Sequence, residues 1–181
     1  MFRSIVAGVA MCVVPLTARA ELAEADFTAV EIEKRSAGTF YIAGAIAGLG
    51  ALDLLVDTGS SYLVITETML AELKDAGRAE FSRGLEGRMA DGSVRVVPLY
   101  RLDSLRLGES CWIHDIEAAI FPAGSRTILG MNVLSRLAPF TFSAEPARLG
   151  LAHCQGPPPA RQIEAAVEAV ESATGAGHLA Q

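Results

Sequence analysis

The segment Ala51-Leu52-Asp53-Leu54-Leu55-Val56-Asp57-Thr58-Gly59-Ser60-Ser61-Tyr62-Leu63-Val64-Ile65 constrains this chain more than any other, because an acid interrupts two apolar, strand-like runs. Thr58, Gly59 and Ser60 are ordinary turn formers, so the pattern reads as strand, turn, strand. The carboxylate of Asp57 then falls where the flanks are apolar. Burying an ionised carboxylate loses solvation unless something pairs with it. A sequence that places one there usually uses its acid–base chemistry, which makes Asp57 the first candidate for a catalytic group.

The remaining composition bounds what can surround that group. At 181 residues and 51 % hydrophobic content the chain supports one globular domain with a proper core, and two full domains would be cramped. Residues 1–20 carry Arg3, an apolar run from Ser4 to Leu16 and then Ala18-Arg19-Ala20, which reads as a secretory signal ending near Glu21. The apolar run holds Pro15 and is shorter than the roughly 20 residues of a membrane span, so a retained inner-membrane anchor is the alternative. The expected location is periplasmic or secreted. Loss of Arg3 and Arg19 from the 15 basic residues leaves 13 against 21 acids, and such an acidic chain is a poor partner for nucleic acid. Cys111 and Cys154 are the cysteines beyond the signal; in an oxidising compartment they can bridge, and two separate buried thiols are the other reading.

Along the chain, Thr39 to Ile42 and Leu52 to Val56 form a hairpin around Gly48-Leu49-Gly50. Thr66 caps a short helix that presents Met69, Leu70 and Leu73 and stops at Gly77. Residues 78–88 are polar and glycine-bearing and read as a connecting loop. Asp91-Gly92 between Arg88-Met89-Ala90 and Ser93-Val94-Arg95-Val96-Val97 is a hairpin signal. Strands follow at Ser104 to Leu107 and Cys111 to Phe121, turning at Gly108-Glu109. Thr127-Ile128-Leu129-Gly130 and the helix Met131 to Leu137 repeat the order of apolar strand, glycine turn and helix, without an aspartate. Short strands at Phe140 to Phe142 and Arg148 to Ala152 close a domain spanning residues 21–154. Residues 155–181 begin with Gly156-Pro157-Pro158-Pro159, a stiff spacer, and continue as an acidic tail that is disordered or weakly helical.

Three of these pieces together resemble the retropepsin-like aspartic proteases, in particular small exported or membrane-associated bacterial members with a single catalytic motif. They are Leu54-Leu55-Val56-Asp57-Thr58-Gly59-Ser60, the hairpin around Ala90-Asp91-Gly92, and Ile128-Leu129-Gly130-Met131 with its helix. The resemblance covers roughly residues 38–152. It implies a mainly β fold, a closed antiparallel barrel with two short helices. It also implies a homodimer in which each copy gives one Asp57, so a single chain is half of an aspartic endopeptidase for polypeptides. No cofactor and no metal are implied. By the same resemblance Gly59 gives a backbone N–H to the carboxylates, Thr58 bonds across the twofold axis, and Ser60 donates to the outer carboxylate oxygen. Met89, Ala90, Asp91 and Gly92 form a flap over the substrate, and Val56, Ile120, Ile128, Gly130 and Met131 fall at the walls of the cleft.

Other classes fit less of the chain. The Asp-Thr-Gly-Ser turn also echoes the first phosphate loop of actin-like kinases, but no second phosphate loop or adenosine site follows. His114 beside Asp115 and His153 beside Cys154 have no ligand-set spacing, and no Gly-x-Ser-x-Gly element is present. The serious rival is a catalytically silent domain of the same fold, serving binding or dimerisation in the cell envelope. Membrane contact arises only if the N-terminal segment is retained.

Overall fold

In β1 (Thr28–Lys34), Val30 and Ile32 are buried while Glu31 and Glu33 face water, the period-two alternation of a strand with one covered face. The computed structural model describes residues 26–88 and 91–158. The expected signal 1–20, the flap residues Met89 and Ala90, and residues 159–181 of the expected tail lie outside the described residues. Beyond β1 come β2 (Phe40–Ile46), β3 (Gly50–Val56), β4 (Leu63–Thr66), α1 (Glu67–Asp75), β5 (Ala79–Arg88), β6 (Val94–Leu107), β7 (Cys111–Phe121), β8 (Ile128–Leu129), α2 (Met131–Leu134), β9 (Phe140–Ala144) and β10 (Ala147–Leu151).

The described strands form one sheet in the order β5-β6-β7-β4-β8-β3-β2-β1-β10-β9. A further pairing of β2 with β6, Gly44 opposite Leu107 and Ile46 opposite Leu105, closes six of them into a barrel. Most ladders are antiparallel, and β3–β8 and β4–β7 are parallel. The fold is thus mainly β, a closed six-stranded barrel with two short helices, and its ladders are mixed rather than wholly antiparallel as expected. Its interior is aliphatic: Ile42, Leu54, Leu63, Leu105, Ile116 and Leu129 are each at most 1 % exposed. Each such side chain stabilises the fold by about 1.5–3 kcal/mol relative to leaving it in water. A second, smaller cluster of Val64, Val97, Leu99 and Ala119 lies under the β5–β6 hairpin, with Leu85 and Ile128 packed on it.

α1 follows its local signals. The Thr66 hydroxyl accepts the Met69 N–H at 3.3 Å, Leu73 is buried, and Gly77 follows the helix in the left-handed region at φ +65°. Two expectations fail because strand pairing is not local. Residues 79–88 are not a connecting loop but β5, paired with β6 from Ala79–Leu102 to Arg88–Val94. Their charges and glycines suit an edge strand, where context outweighs propensity. The strands expected at Ser93–Val97 and Ser104–Leu107 are parts of one strand, β6, despite Pro98. Pro98 lies just outside the stretch Leu99–Leu107 that pairs with β7, where a missing N–H breaks no central ladder.

The Cys111–Cys154 pair is a disulfide. It ties the first residue of β7 to the segment after β10, where Trp112 and Gln155 also exchange backbone hydrogen bonds of 3.3 and 2.8 Å. The bond closes 43 residues of chain, which on the loop-entropy account stabilises by roughly 4 kcal/mol. Cys111→Ser/Cys154→Ser is expected to lower unfolding free energy by about that amount in urea titrations. Reductant should shift the midpoint of the parent and leave the double variant unmoved.

Candidate active site

Asp57 stands at the end of β3, and its neighbourhood is held almost wholly by backbone. The parallel pairing of Leu55 with Ile128 and Val56 with Leu129 runs on into a bond from the Asp57 N–H to the Leu129 carbonyl, at 3.2 Å. The turn then closes on itself: the Gly59 N–H donates to Asp57 Oδ1 at 2.8 Å and the Ser60 N–H to the Asp57 carbonyl at 3.2 Å. The Ser60 and Ser61 carbonyls accept the N–H groups of Met131 and Asn132 at 2.8 and 3.0 Å. Those donors are the otherwise unpaired first N–H groups of α2, so helix start and turn complete each other. Gly130 lies directly beneath this turn, and a Cβ there would overlap the Tyr62 carbonyl group.

Asn132 carries the same connection through its side chain. Its Oδ1 accepts the Leu63 N–H at 2.7 Å and its Nδ2 donates to the Glu117 carbonyl at 2.7 Å. One amide therefore joins α2 to the start of β4 and to β7. Sequence reasoning passed it over. An amide between Met131 and the buried Val133 and Leu134 is nevertheless a readable signal, since a polar group among apolar neighbours needs partners.

A second polar group links the β5–β6 hairpin to the turn. Arg83 of β5 forks onto Glu117 of β7 with two 2.8 Å bonds and reaches the Tyr62 hydroxyl at 3.2 Å. The Ser82 hydroxyl donates to the same carboxylate at 2.6 Å. The Tyr62 bond, and then the Glu117 charge, hold the Arg83 guanidinium above its ordinary pKa. At the hairpin tip the Ser93 N–H closes on Asp91 Oδ1 at 2.9 Å, and Gly92 adopts φ +82°, which a side chain would strain. Asp91 and Gly92 thus form an exposed tip.

Two depressions adjoin the turn. A cleft of about 550 Å³ is lined by Val56, Asp57 and Thr58 on one side and by Phe40, Phe140 and Phe142 on the other. A more open one of about 310 Å³ is lined by Thr58, Gly59, Ser60, Ser61, Met131 and Asn132, with Ser135. Val56 and Met131 therefore do border the site. Gly130 does not: it is buried under Tyr62 and serves the turn itself. Ile128 packs into the small cluster beneath the hairpin and Ile120 is 6 % exposed, so neither lines these depressions. Ser60 differs from expectation too. Its hydroxyl donates to the Tyr62 carbonyl at 3.0 Å, leaving the Asp57 carboxylate to the Gly59 N–H. Asp57 is half-buried in the single chain rather than enclosed, with Thr58 and Gly59 exposed beside it. Among the described residues no group of three or more His, Cys, Asp or Glu side chains could hold a metal ion.

Asn132→Ala removes the side-chain partner of the Leu63 N–H and of the Glu117 carbonyl. It is expected to destabilise the fold by about 3 kcal/mol, measured as a lowered urea midpoint at unchanged m-value.

Comparison with known proteins agrees with this geometry. Residues 42–136, just over half of the chain, match the family model described as "gag-polyprotein putative aspartyl protease". A search of curated proteins finds no match. Among solved structures the chain is similar to a retropepsin-like aspartic protease from Rickettsia conorii, with a TM-score of 0.52 and 20 % sequence identity over 70 % of this chain and 91 % of that one. At that identity the likeness speaks for the fold. The family match spans the Asp57 turn, the β5–β6 hairpin and the Gly130 segment alike, and the chain belongs to the retropepsin-like aspartyl protease family.

Proposed function

We propose that this protein is an aspartic endopeptidase, active as a homodimer, that hydrolyses extended polypeptides with a water held between two Asp57 carboxylates. The observation that carries the reading is the Asp57 carboxylate itself. It ends a barrel strand, takes a 2.8 Å bond from the Gly59 N–H, and stands half-exposed on a cleft of about 550 Å³. Among the described residues, no cationic side chain bonds to it.

Two carboxylates about 3 Å apart cannot both ionise cheaply, so the pair holds a single proton. The charged member takes a proton from the water as its oxygen bonds to the peptide carbonyl carbon. The neutral member gives its proton to the carbonyl oxygen. Collapse of the resulting diol breaks the C–N bond, and a proton passes to the departing amine. The proton count closes with no covalent enzyme intermediate. Gly59 holds each carboxylate by its backbone, Thr58 bonds across the axis, and the hairpin tip at Asp91-Gly92 folds over the peptide to exclude water. The apolar walls at Val56, Phe40 and Phe140 favour apolar side chains near the scissile bond. The N-terminal apolar segment and the Cys111–Cys154 bond fit export to an oxidising compartment.

In an assay on an unfolded polypeptide, Asp57→Asn is expected to lower cleavage on the order of 10³-fold or more with an unchanged circular dichroism spectrum. Dilution of the parent should reduce activity per subunit, since mass action dissolves a shared site. Equal cleavage by parent and Asp57→Asn, or cleavage by neither, would instead support a silent binding domain.

A further inference from the structure

The β5–β6 hairpin turns one of its two faces toward the Asp57 turn, and alternation along its strands fixes which side chains that face carries. Val97 and Leu99 pack with Val64, which lies just past the turn, and Leu85, Tyr62 and Ile128 close around them. Arg83, on the same face, reaches the Tyr62 hydroxyl at 3.2 Å. From Arg83 to Arg88 the pairing with β6 runs without a register shift, so side chains two positions apart share a side. The face of Leu85 and Val97 therefore continues outward into the pair Gly87 and Arg95, while Arg88, Val94 and Val96 lie on the other face. Two cations thus stand on the side of the site, and one of them is already spent. Arg83 forks onto Glu117 with two 2.8 Å bonds. Arg95 is exposed, and its guanidinium enters none of the ion pairs among the described residues. Gly87, opposite, has no side chain to cover it, and the tip acid Asp91 turns its Oδ1 to the Ser93 N–H at 2.9 Å.

We infer that Arg95 sets specificity, selecting peptides that carry an acidic side chain next to the apolar residues at the scissile bond. The inference rests on the peptidase reading of Asp57 and adds a substrate class to it. A peptide lying between the hairpin and Asp57 meets Leu85 and Val97 and then, about 7 Å further out along the strand, the Arg95 guanidinium. A carboxylate there accepts two parallel N–H bonds, a geometry that a carboxamide or an ammonium cannot copy. Closure of the hairpin takes the pair partly out of water, where it is worth more than a pair on an open surface. The chain has 15 basic and 21 acidic residues, so its overall field repels an acidic peptide and the preference hangs on this one contact. Each copy of the chain brings one hairpin, which puts an Arg95 on either side of the bond to be cut.

The test measures initial rates of the full chain on two quenched fluorescent peptides with the same apolar pair at their centre, flanked by Glu in one and by Lys in the other. The parent should cleave the Glu peptide about tenfold more efficiently in kcat/KM. The difference should lie in KM, since the contact is equally present before and during the reaction, and added salt should shrink it. Arg95→Glu should reverse the preference and Arg95→Lys should retain part of it. Arg88→Glu, the same charge change on the other face, should leave it unaltered. Labelled peptides titrated onto Asp57→Asn should bind in the parent's order, a readout independent of cleavage. Equal treatment of the two peptides by the parent, a preference that survives in Arg95→Glu, or a loss in that variant shared alike by both peptides would overturn the inference and leave the peptidase reading standing. If Asp57→Asn binds the Glu peptide more tightly and the parent cuts neither, the Arg95 selection stands and the peptidase reading fails.

Discussion

Every feature of the site depends on one backbone interlock, in which the turn after β3 and the segment after β8 supply each other's hydrogen bonds. The Asp57 N–H reaches the Leu129 carbonyl, and the N–H groups of Met131 and Asn132 reach the Ser60 and Ser61 carbonyls. Two irregular segments that would each leave buried polar groups unpaired satisfy one another instead. Gly130 allows the close approach, and Asn132 extends the lock to β4 and β7. Side-chain identity matters little within the turn, because most of the contacts are main-chain. The carboxylate is thereby held on barrel strands rather than on a loop free to drift, the condition for placing a reacting group to within a fraction of an ångström.

On the proposed dimeric reading, that lock leaves one chain as half of a site. Among the described residues the Asp57 carboxylate receives one N–H bond, from Gly59, and it stands half-buried on its cleft with Thr58 and Gly59 exposed beside it. A finished active site would exclude water around the charge. Here the exposed elements are backbone and small side chains, which a symmetric copy could approach without unpacking the core. The aliphatic core is built from the chain's own strands and helices, so on that reading a partner would complete the site rather than the barrel.

What the sequence made legible was local. Asp57-Thr58-Gly59 after an apolar strand, the Thr66 cap, the Asp91-Gly92 tip and the Gly130 turn each announce themselves within a few residues. What escaped depends on partners far along the chain. Asn132 bonds Leu63 across 69 positions, and Arg83 bonds Glu117 across 34. The polar run 79–88 is a strand only because β6 lies beside it, so its own composition suggested a loop. Ser60 shows the same limit at closer range. Its hydroxyl donates to the Tyr62 carbonyl and not to the carboxylate, an outcome set by how the turn folds.

The β5–β6 hairpin, the proposed flap, has a base tied to the barrel, and the distribution of its contacts among the described residues says where it would bend. Near its base, Arg83 and Ser82 are tied to Glu117 and Tyr62, and Val97 and Leu99 pack with Val64 and Ala119 in the small second cluster. Beyond Pro98 the strand β6 leaves β7 behind, and Val94 and Val96 are 50 % and 75 % exposed. With only the paired strand β5 for support, that outer part has few apolar contacts to lose on moving, the condition for low local stability. Opening would thus pivot near Pro98 while Tyr62, two residues beyond Ser60, stays anchored to the base. On the proposed flap reading, an arm moving rigidly would drag on Tyr62 and with it the Asp57 turn; the Arg83–Glu117 fork ties the base of the arm to the barrel.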